Sequence, residues 1–171
     1  MPVSNASPLI YLARLGKLHL LKDLYGQVQI PPEVNMETIE RGKAKGYPDA
    51  YVIEEALDHG WLITDALTNE NAVKSNALTE MTGIDIGEAQ AILLTKQKGE
   101  EEVLIDQSDA REVARQLGLS PRGTIFIVLT ATRRGLITKD TAKQMLAKLI
   151  EVNFYISAKI YRDTLNTIEK L

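Results

Sequence analysis

The sequence predicts an α/β domain with a mainly parallel central sheet flanked by helices. Short segments rich in apolar residues, such as residues 28–30 and 103–105, alternate with longer segments in which apolar residues recur at helical spacing. Residues 103–105 are apolar throughout, which is typical of a strand covered on both faces. The chain has 171 residues, of which 44% are apolar and 25% charged, and this suits one globular domain.

Capping signals predict the first elements. A strand opens at Val3, and Ser7 and Pro8 then predict the start of a helix. Ser7 would be its N-cap and Pro8 its first residue, where a missing N–H does no harm. A second short helix and the strand at 28–30 follow, and a third helix after this strand carries Glu37.

The alternation continues towards the C-terminus. We expect, in order, a helix from Pro48 to Gly60, a strand at 61–63, helices at 86–98, 109–117 and 124–134, and helical structure from Thr138 onward. Residues 64–83 lack clean periodicity and predict a variable loop or a weak helix. The chain thus divides into an α/β domain at residues 1–137 and a C-terminal helical extension at 138–171, which packs on this domain or on a partner.

The extension carries an apolar stripe that permits two interpretations. Such a stripe is commonly part of a core, but it also suits contact with a second copy of the chain or with a partner protein. Its members are Leu146, Leu149, Ile150, Ile156, Ile160 and Tyr161.

The chain lacks the residues of several common sites. It has no cysteine, which excludes disulfides, Cys-containing zinc sites and thiol nucleophiles, and its two histidines are not at metal-ligand spacing. Glycine-rich nucleotide motifs and the G-x-S-x-G nucleophile motif are absent as well. No apolar segment is long enough to span a bilayer and no signal peptide is evident, so we expect a cytoplasmic protein without membrane contact.

The net charge of −3 conceals an uneven distribution along the chain. Residues 1–110 carry 9 basic and 18 acidic side chains, whereas residues 111–148 carry 8 basic and 2 acidic ones. Charges can cluster on solvated faces without any function. The alternative is an acidic part that holds a cation and a basic part that holds a nucleic acid.

Oxygen-bearing side chains stand at the ends of predicted elements. Asn5 follows the first strand and Asp106 the strand at 103–105, and ligands of open α/β sheets bind beyond the carboxyl ends of the strands. Each acid also has a simpler role; Asp85 and Glu88, for example, have the spacing of a capping box. Converging carboxylates, however, would raise each other's pKa unless a cation neutralised them. Mg²⁺ or Mn²⁺ fits such oxygen ligands and can activate water for attack on a phosphodiester.

Four motifs, in their order and spacing, resemble those of PIN-domain proteins. They are residues 3–10, residues 30–34 followed by Glu37, residues 85–89 and residues 104–111. Residues 118–137 continue the likeness to a prokaryotic branch of PIN-like proteins, so the resemblance covers residues 2–137. It implies a three-layer fold and a metal-dependent ribonuclease, which is often the toxin of a toxin–antitoxin pair and often a homodimer.

The resemblance also implies roles for individual residues. The hydroxyls of Ser7 and Thr124 would hold the metal ligands in place. The acidic positions implied to bind Mg²⁺ or Mn²⁺ are Glu37, Glu88 and Asp106, with the neighbouring Asp85 and Asp109 as further candidates.

Asn5 departs from the family pattern, which usually has Asp at this position as a direct metal ligand. An amide keeps a carbonyl oxygen but loses the charge, so the affinity for a metal should fall. Two functions therefore stay open. The first is an endoribonuclease in which Glu37, Glu88 and Asp106 hold the ion and Asn5 orients a ligand or water. The second is a catalytically weakened module that binds RNA or a protein partner such as an antitoxin.

Basic residues that follow Asp106 are candidates for contact with RNA. Arg111 and Arg115 lie one turn apart on the next helix, a spacing that suits a phosphate contact. Arg133 and Arg134 are further candidates, although cations also favour the C-terminal end of a helix without any ligand. The remaining candidates in the basic segment at residues 111–148 are Arg122, Lys139 and Lys143.

Overall fold

The computed structural model describes all 171 residues and contains one five-stranded sheet. Its strands are β1 (Val3–Ser4), β2 (Val28–Ile30), β3 (Leu62–Thr64), β4 (Glu102–Leu104) and β5 (Ser120–Arg122). Their order across the sheet is β3-β2-β1-β4-β5, and every neighbouring pair is parallel. The parallel sheet expected from the sequence is therefore confirmed.

Helices fill the connections between the strands and the C-terminal part of the chain. They are α1 (Ala6–Arg14), α2 (His19–Tyr25), α3 (Pro32–Asn35), α4 (Gly42–Ala44), α5 (Pro48–Asp58), α6 (Asn69–Thr82), α7 (Ile86–Gln97), α8 (Ser108–Gln116), α9 (Thr124–Arg133), α10 (Lys139–Glu151) and α11 (Ala158–Lys170). A π-helix, Met36–Arg41, joins α3 to α4 without a break. None of the helices combines the length and the apolar character that crossing a bilayer requires.

Two apolar clusters cover the opposite faces of the sheet. Because side chains alternate along a strand, Leu104 joins a cluster of 25 buried residues, whereas Val103 and Ile105 join a cluster of 12. The larger cluster includes residues of α1, α2, α5 and α9, and the smaller one includes residues of α7 and α8. Helices on both faces of a sheet make three layers, which confirms the α/β class.

Strand β1 lies at the centre of the sheet and places the first candidate residue. Val3 is in register with Val103, and the N–H of Asn5 donates to the carbonyl oxygen of Leu104 at 2.9 Å. The carboxyl ends of β1 and β4 therefore lie side by side. This arrangement brings Asn5 and Asp106 to the same edge of the sheet.

The start of α1 corrects one prediction. The helix begins at Ala6 with Asn5 in the N-cap position, so the assignment of Ser7 as N-cap and Pro8 as first residue was wrong by two positions. Pro8 still lies in the first turn, where N–H groups have no acceptor within the helix. Proline therefore marks the first turn and not its first residue. The side chain of Asn5 makes no capping hydrogen bond, so its amide does not serve the helix.

Residues 64–83 are mainly helical, as one of the two alternatives predicted. Helix α6 begins after Thr68, whose hydroxyl accepts from the N–H of Asn71 at 3.2 Å, and it ends at Gly83 with a left-handed backbone (φ 78°). The flanking strands differ from the predictions by one residue, because β3 begins later and β4 earlier than expected.

Strand β5 was not predicted. It has only three residues, and the middle one, Pro121, has no N–H to donate to a neighbouring strand. A proline is tolerated in β5 because the strand lies at the edge of the sheet. Its partner is β4, with Arg122 in register with Leu104.

Helices α10 and α11 pack against α9. Met145, Leu146 and Leu149 are buried in the same cluster as the sheet residues. In contrast, Ile150 and Ile160 from the same stripe are about half exposed, at 49% and 51%. The stripe is thus partly core and partly surface, and the domain boundary at residue 137 stays a prediction.

Candidate functional site

The candidate site lies where the carboxyl ends of the strands meet the starts of helices. Asn5 follows β1, Asp106 follows β4 and Thr124 follows β5 after one glycine. The start of α7 brings Asp85 and Glu88 to the same edge. Because the N-terminus of a helix carries a partial positive charge, this edge favours anionic groups.

Three adjoining cavities open along this edge. The central cavity has a volume of about 220 Å³, and its lining includes Asn5, Ser7, Glu37, Asp85 and Glu88. Glu37 and Asp85 also line a cavity of about 390 Å³. Asp85 and Glu88 line a third cavity, of about 200 Å³, which Asp109 borders. The fold therefore gathers most of the predicted site residues in one region.

Gly87 is the point where two of these side chains meet. A Cβ atom at this position would lie 3.4 Å from Oε2 of Glu37 and 3.5 Å from Oδ1 of Asn5. The absence of a side chain leaves both oxygens facing open space. A carboxylate and an amide oxygen are ligands that a hard divalent cation accepts.

Glu88 is buried and has both a capping role and an electrostatic one. Its Oε2 accepts from the N–H of Asp85 at 3.0 Å, as in the capping box predicted from the sequence. Burial is the main cause that raises the pKa of Glu88, and the charges of Asp85, Glu37 and Asp109 raise it further. The hydrogen bond from Asp85 opposes this effect. The Glu88 carboxylate therefore interacts electrostatically with three other acids of the predicted set.

Glu37 projects from the π-helix at the rim of the central cavity. Loss of water around its carboxylate raises its pKa, and the charges of Asp85 and Glu33 add to this rise. The charges of Arg41 and Lys45 lower it. Glu37 thus lies at the boundary between an acidic and a basic group of side chains.

Asp106 is held at the start of α9. The backbone N–H of Thr124 donates to Oδ1 at 2.6 Å, and its hydroxyl donates to Oδ2 at 2.8 Å. Burial raises the pKa of Asp106, whereas the two hydrogen bonds and the charge of Arg111 lower it. The buried Ser7 hydroxyl lies beside this carboxylate without a hydrogen-bond partner of good geometry.

These side chains suit a hydrated cation better than a closed cage. Nowhere do three Asp, Glu or His side chains come close enough to form a metal-binding group, so Glu37, Glu88 and Asp106 do not surround one point. Mg²⁺, however, keeps several of its waters and binds through one or two carboxylates. An ion of this kind fits Glu37 and Asn5 beside Gly87, with a free oxygen of Glu88 nearby.

Comparison with known families identifies the family of this fold. The model of the DUF3368 family, described as a PIN domain, matches residues 1–170. This chain belongs to the PIN-domain family. PIN domains are generally nucleases, so membership supports a nuclease-type hydrolase as the general class. No curated protein and no solved structure matches the chain.

In this PIN domain, only part of the predicted basic set lies near the acids. Arg111 is partly buried, donates from Nη1 to the carbonyl oxygen of Ile105 at 3.1 Å and lies close to Asp106. Arg115 is exposed and pairs with Glu112 at 3.3 Å. Arg111 is therefore the candidate that the fold brings to the site.

The remaining predicted basic residues lie elsewhere, and all of them except Arg133 have structural partners there. Arg133 and Arg134 lie at the far end of α9, about 15 Å along the helix from its start. Arg134 donates to the carbonyl oxygen of Leu24 at 3.2 Å. The others pair as follows: Arg122 with Glu102 at 3.0 Å, Lys139 with the backbone oxygen of Glu169, and Lys143 with the Glu169 carboxylate.

The sequence interpretation missed a basic group beside Glu37. Arg14, Arg41 and Lys45 line the cavity of about 390 Å³ together with Tyr47. The signal in the sequence was residues 41–47, in which three cations fall within five positions and an aromatic residue follows. The acidic excess of residues 1–110 as a whole conceals this basic segment.

Proposed function

We propose that this PIN domain is a Mg²⁺- or Mn²⁺-dependent endoribonuclease. The observation that supports the proposal is the meeting of a Glu37 and an Asn5 oxygen beside Gly87, with Glu88 lining the same cavity. Burial and neighbouring acids raise the pKa of Glu37 and of Glu88, whereas Thr124 and Arg111 oppose the rise at Asp106. A divalent cation at this edge would offset the repulsion between the neighbouring acids.

The residues have separate roles in this proposal. Glu37 and Asn5 would hold the ion beside Gly87, with Glu88 as a further oxygen donor. When bound, the ion would stabilise negative charge on the phosphate and favour deprotonation of water. Thr124 fixes the orientation of Asp106 through two short hydrogen bonds, so that this carboxylate keeps its place when RNA approaches.

Partners form a second part of the proposal and rest on the family resemblance. RNA would be the substrate, and an antitoxin protein and a second copy of the chain would be the protein partners. The half-exposed apolar side chains of Ile150 and Ile160 offer a surface for such a contact.

A binding module without efficient cleavage is the second candidate function. It is favoured by Asn5, which lacks the negative charge of an aspartate, and by the absence of a group of three acids around one point. In this case the same edge of the sheet would hold RNA or a protein without cutting it.

Cleavage of a mixed-sequence RNA in Mg²⁺ or Mn²⁺ separates the two candidates. We expect Glu37→Gln and Asp106→Asn to lose on the order of 10- to 100-fold in rate, the range seen when groups that support a metal are removed. Glu151→Gln, at the exposed end of α10, is a matched control that should cleave like the wild type. Equal residual activity in all four proteins would contradict the nuclease and favour the binding module.

A further inference from the structure

The corner between α4 and α5 carries cations and aromatic rings in close succession. Within residues 41–51, Arg41, Lys43 and Lys45 alternate with small residues, and Tyr47 and Tyr51 follow. The two tyrosines are exposed at 44% and 54%. In proteins that bind single-stranded nucleic acids, exposed aromatic rings stack on unpaired bases and nearby cations bind the phosphates.

Each lysine of the corner lies over a tyrosine ring. The Nζ atom of Lys43 is 5.4 Å from the ring centre of Tyr51, and that of Lys45 is 6.0 Å from the ring centre of Tyr47. Lys43 also pairs with Glu54 at 2.7 Å. Lys45 has no carboxylate partner, so its charge is available to an anion that approaches the ring of Tyr47.

The backbone of the corner is closely packed. Gly42 packs so closely on α5 that a Cβ atom would lie 2.8 Å from Cβ of Ala50. The N–H of Tyr47 donates to the carbonyl oxygen of Gly42 at 2.9 Å, and Gly46 makes the turn with a left-handed backbone (φ 73°). A preformed surface of this kind loses little conformational entropy when it binds a ligand.

The corner is continuous with the acidic site. Tyr47, Lys45 and Arg14 line the same cavity as Glu37, and the charge of Lys45 acts on the Glu37 carboxylate. Arg14 pairs with the buried Asp49 at 3.4 Å, which fixes its position at the wall of the cavity. An RNA strand bound at the corner would therefore lead directly to the acidic site that contains Glu37.

We propose that this corner is a nucleotide subsite for single-stranded RNA, in which an unpaired base stacks on Tyr47 and the adjoining phosphate binds Lys45. The inference rests on the proposed function, because it supplies the path by which RNA would reach Glu37. It replaces the distant Arg133 and Arg134 as the main RNA contact. A base within a duplex would not reach the ring, so the subsite selects unpaired nucleotides.

Binding of a fluorescein-labelled 12-nucleotide RNA, followed by anisotropy in EDTA, tests the subsite without any cleavage. We expect Tyr47→Ala to weaken binding about 5-fold or more, as loss of one stacked base does, and Tyr47→Phe to bind like the wild type. Lys45→Ala should reduce the salt dependence, by about 0.7 in the slope of log K against log salt. Tyr155→Ala, which removes a ring with 92% exposure, and Lys159→Ala are matched controls that should change neither quantity.

Three results would overturn the subsite. The first is unchanged affinity of Tyr47→Ala, and the second is equal binding of a 12-base-pair duplex of the same sequence. The third is displacement of the RNA by polyglutamate as effectively as by unlabelled RNA of equal charge, which would indicate a surface for acidic protein segments. Cleavage is scored separately: if the Tyr47 effect persists while Glu37→Gln and Asp106→Asn both cleave like the wild type, the subsite stands and the nuclease proposal fails.

Discussion

Gly123→Ala is the sharpest test of how the site is held together. Gly123 has an extended backbone (φ −106°, ψ 178°), so alanine introduces no backbone strain. The new Cβ atom would nevertheless lie 2.8 Å from Oδ1 of Asp106 and 2.9 Å from Nη1 of Arg111. At such distances both side chains must move.

Either movement breaks a specific contact. If Asp106 shifts, it loses hydrogen bonds from Thr124, and a hydrogen bond to a charged group contributes about 1.5–3 kcal/mol. If Arg111 shifts, it loses the carbonyl oxygen of Ile105. Overpacking of this kind costs about 1–3 kcal/mol. For a chain of this length that corresponds to a melting temperature lower by roughly 2–12 °C.

Thermal unfolding and Mn²⁺-dependent cleavage would be measured together. Gly87→Ala is the matched control for stability alone, because its Cβ atom would lie at ordinary contact distances of 3.4 Å and more and should leave the melting temperature nearly unchanged. Its cleavage is not compared, since the proposed ion lies beside Gly87. In an Arg111→Ala background, the cost of Gly123→Ala should fall by about 0.5–3 kcal/mol, since one of the two clashes is gone. A Gly123→Ala protein that melts and cleaves like the wild type would refute the proposed packing around Asp106.

Three further predictions concern single groups of the site. The pKa of Glu88 is raised above its ordinary value of 4.5, so the folded chain binds the Glu88 proton more tightly than the unfolded chain does. In EDTA, Glu88→Gln should therefore gain stability relative to the wild type as pH rises from 4.5 towards 7.5. A difference in melting temperature that does not change with pH would contradict this. Asn5→Asp should tighten Mn²⁺ binding in calorimetry and raise the cleavage rate, and no change in either would place Asn5 outside the site. Thr124→Val removes the hydroxyl that donates to Asp106 and should cost about 1.5–3 kcal/mol in denaturant unfolding, whereas Thr124→Ser keeps it; equal losses would show that the hydroxyl is not the cause.

The sequence was most informative where a pattern of residues fits only one kind of structure. Short, largely apolar segments identified the strands at 28–30 and 103–105 to within a residue, and Asn5 and Asp106 were correctly expected at one edge of the sheet. Pro121 concealed β5, because proline normally argues against a strand and only the edge position makes it acceptable.

Other features depend on proximity in three dimensions, which counting along the chain does not capture. Arg133 and Arg134 were grouped with Arg111 because they share a basic segment, yet α9 carries them to its opposite end. Lys45 and Tyr47 belong to an acidic half of the chain and were overlooked, although the fold places them beside Glu37. The pattern of the third helix showed a helical period but gave no sign that part of it is a π-helix.

The π-helix Met36–Arg41 contains Glu37 and precedes Lys45 and Tyr47 in the chain. Residues advance by about 100° around an α-helix, and a π-helical turn accommodates one residue more than an α-helical turn. Deletion of a single residue within Met36–Arg41 would therefore let the segment close as an α-helix and leave the residues after it in nearly the same orientation relative to α3. Lys45 and Tyr47 would keep their place, whereas Glu37, which lies within the segment, would change its direction. Length variation at this one point would therefore disturb the acidic site and spare the nucleotide subsite.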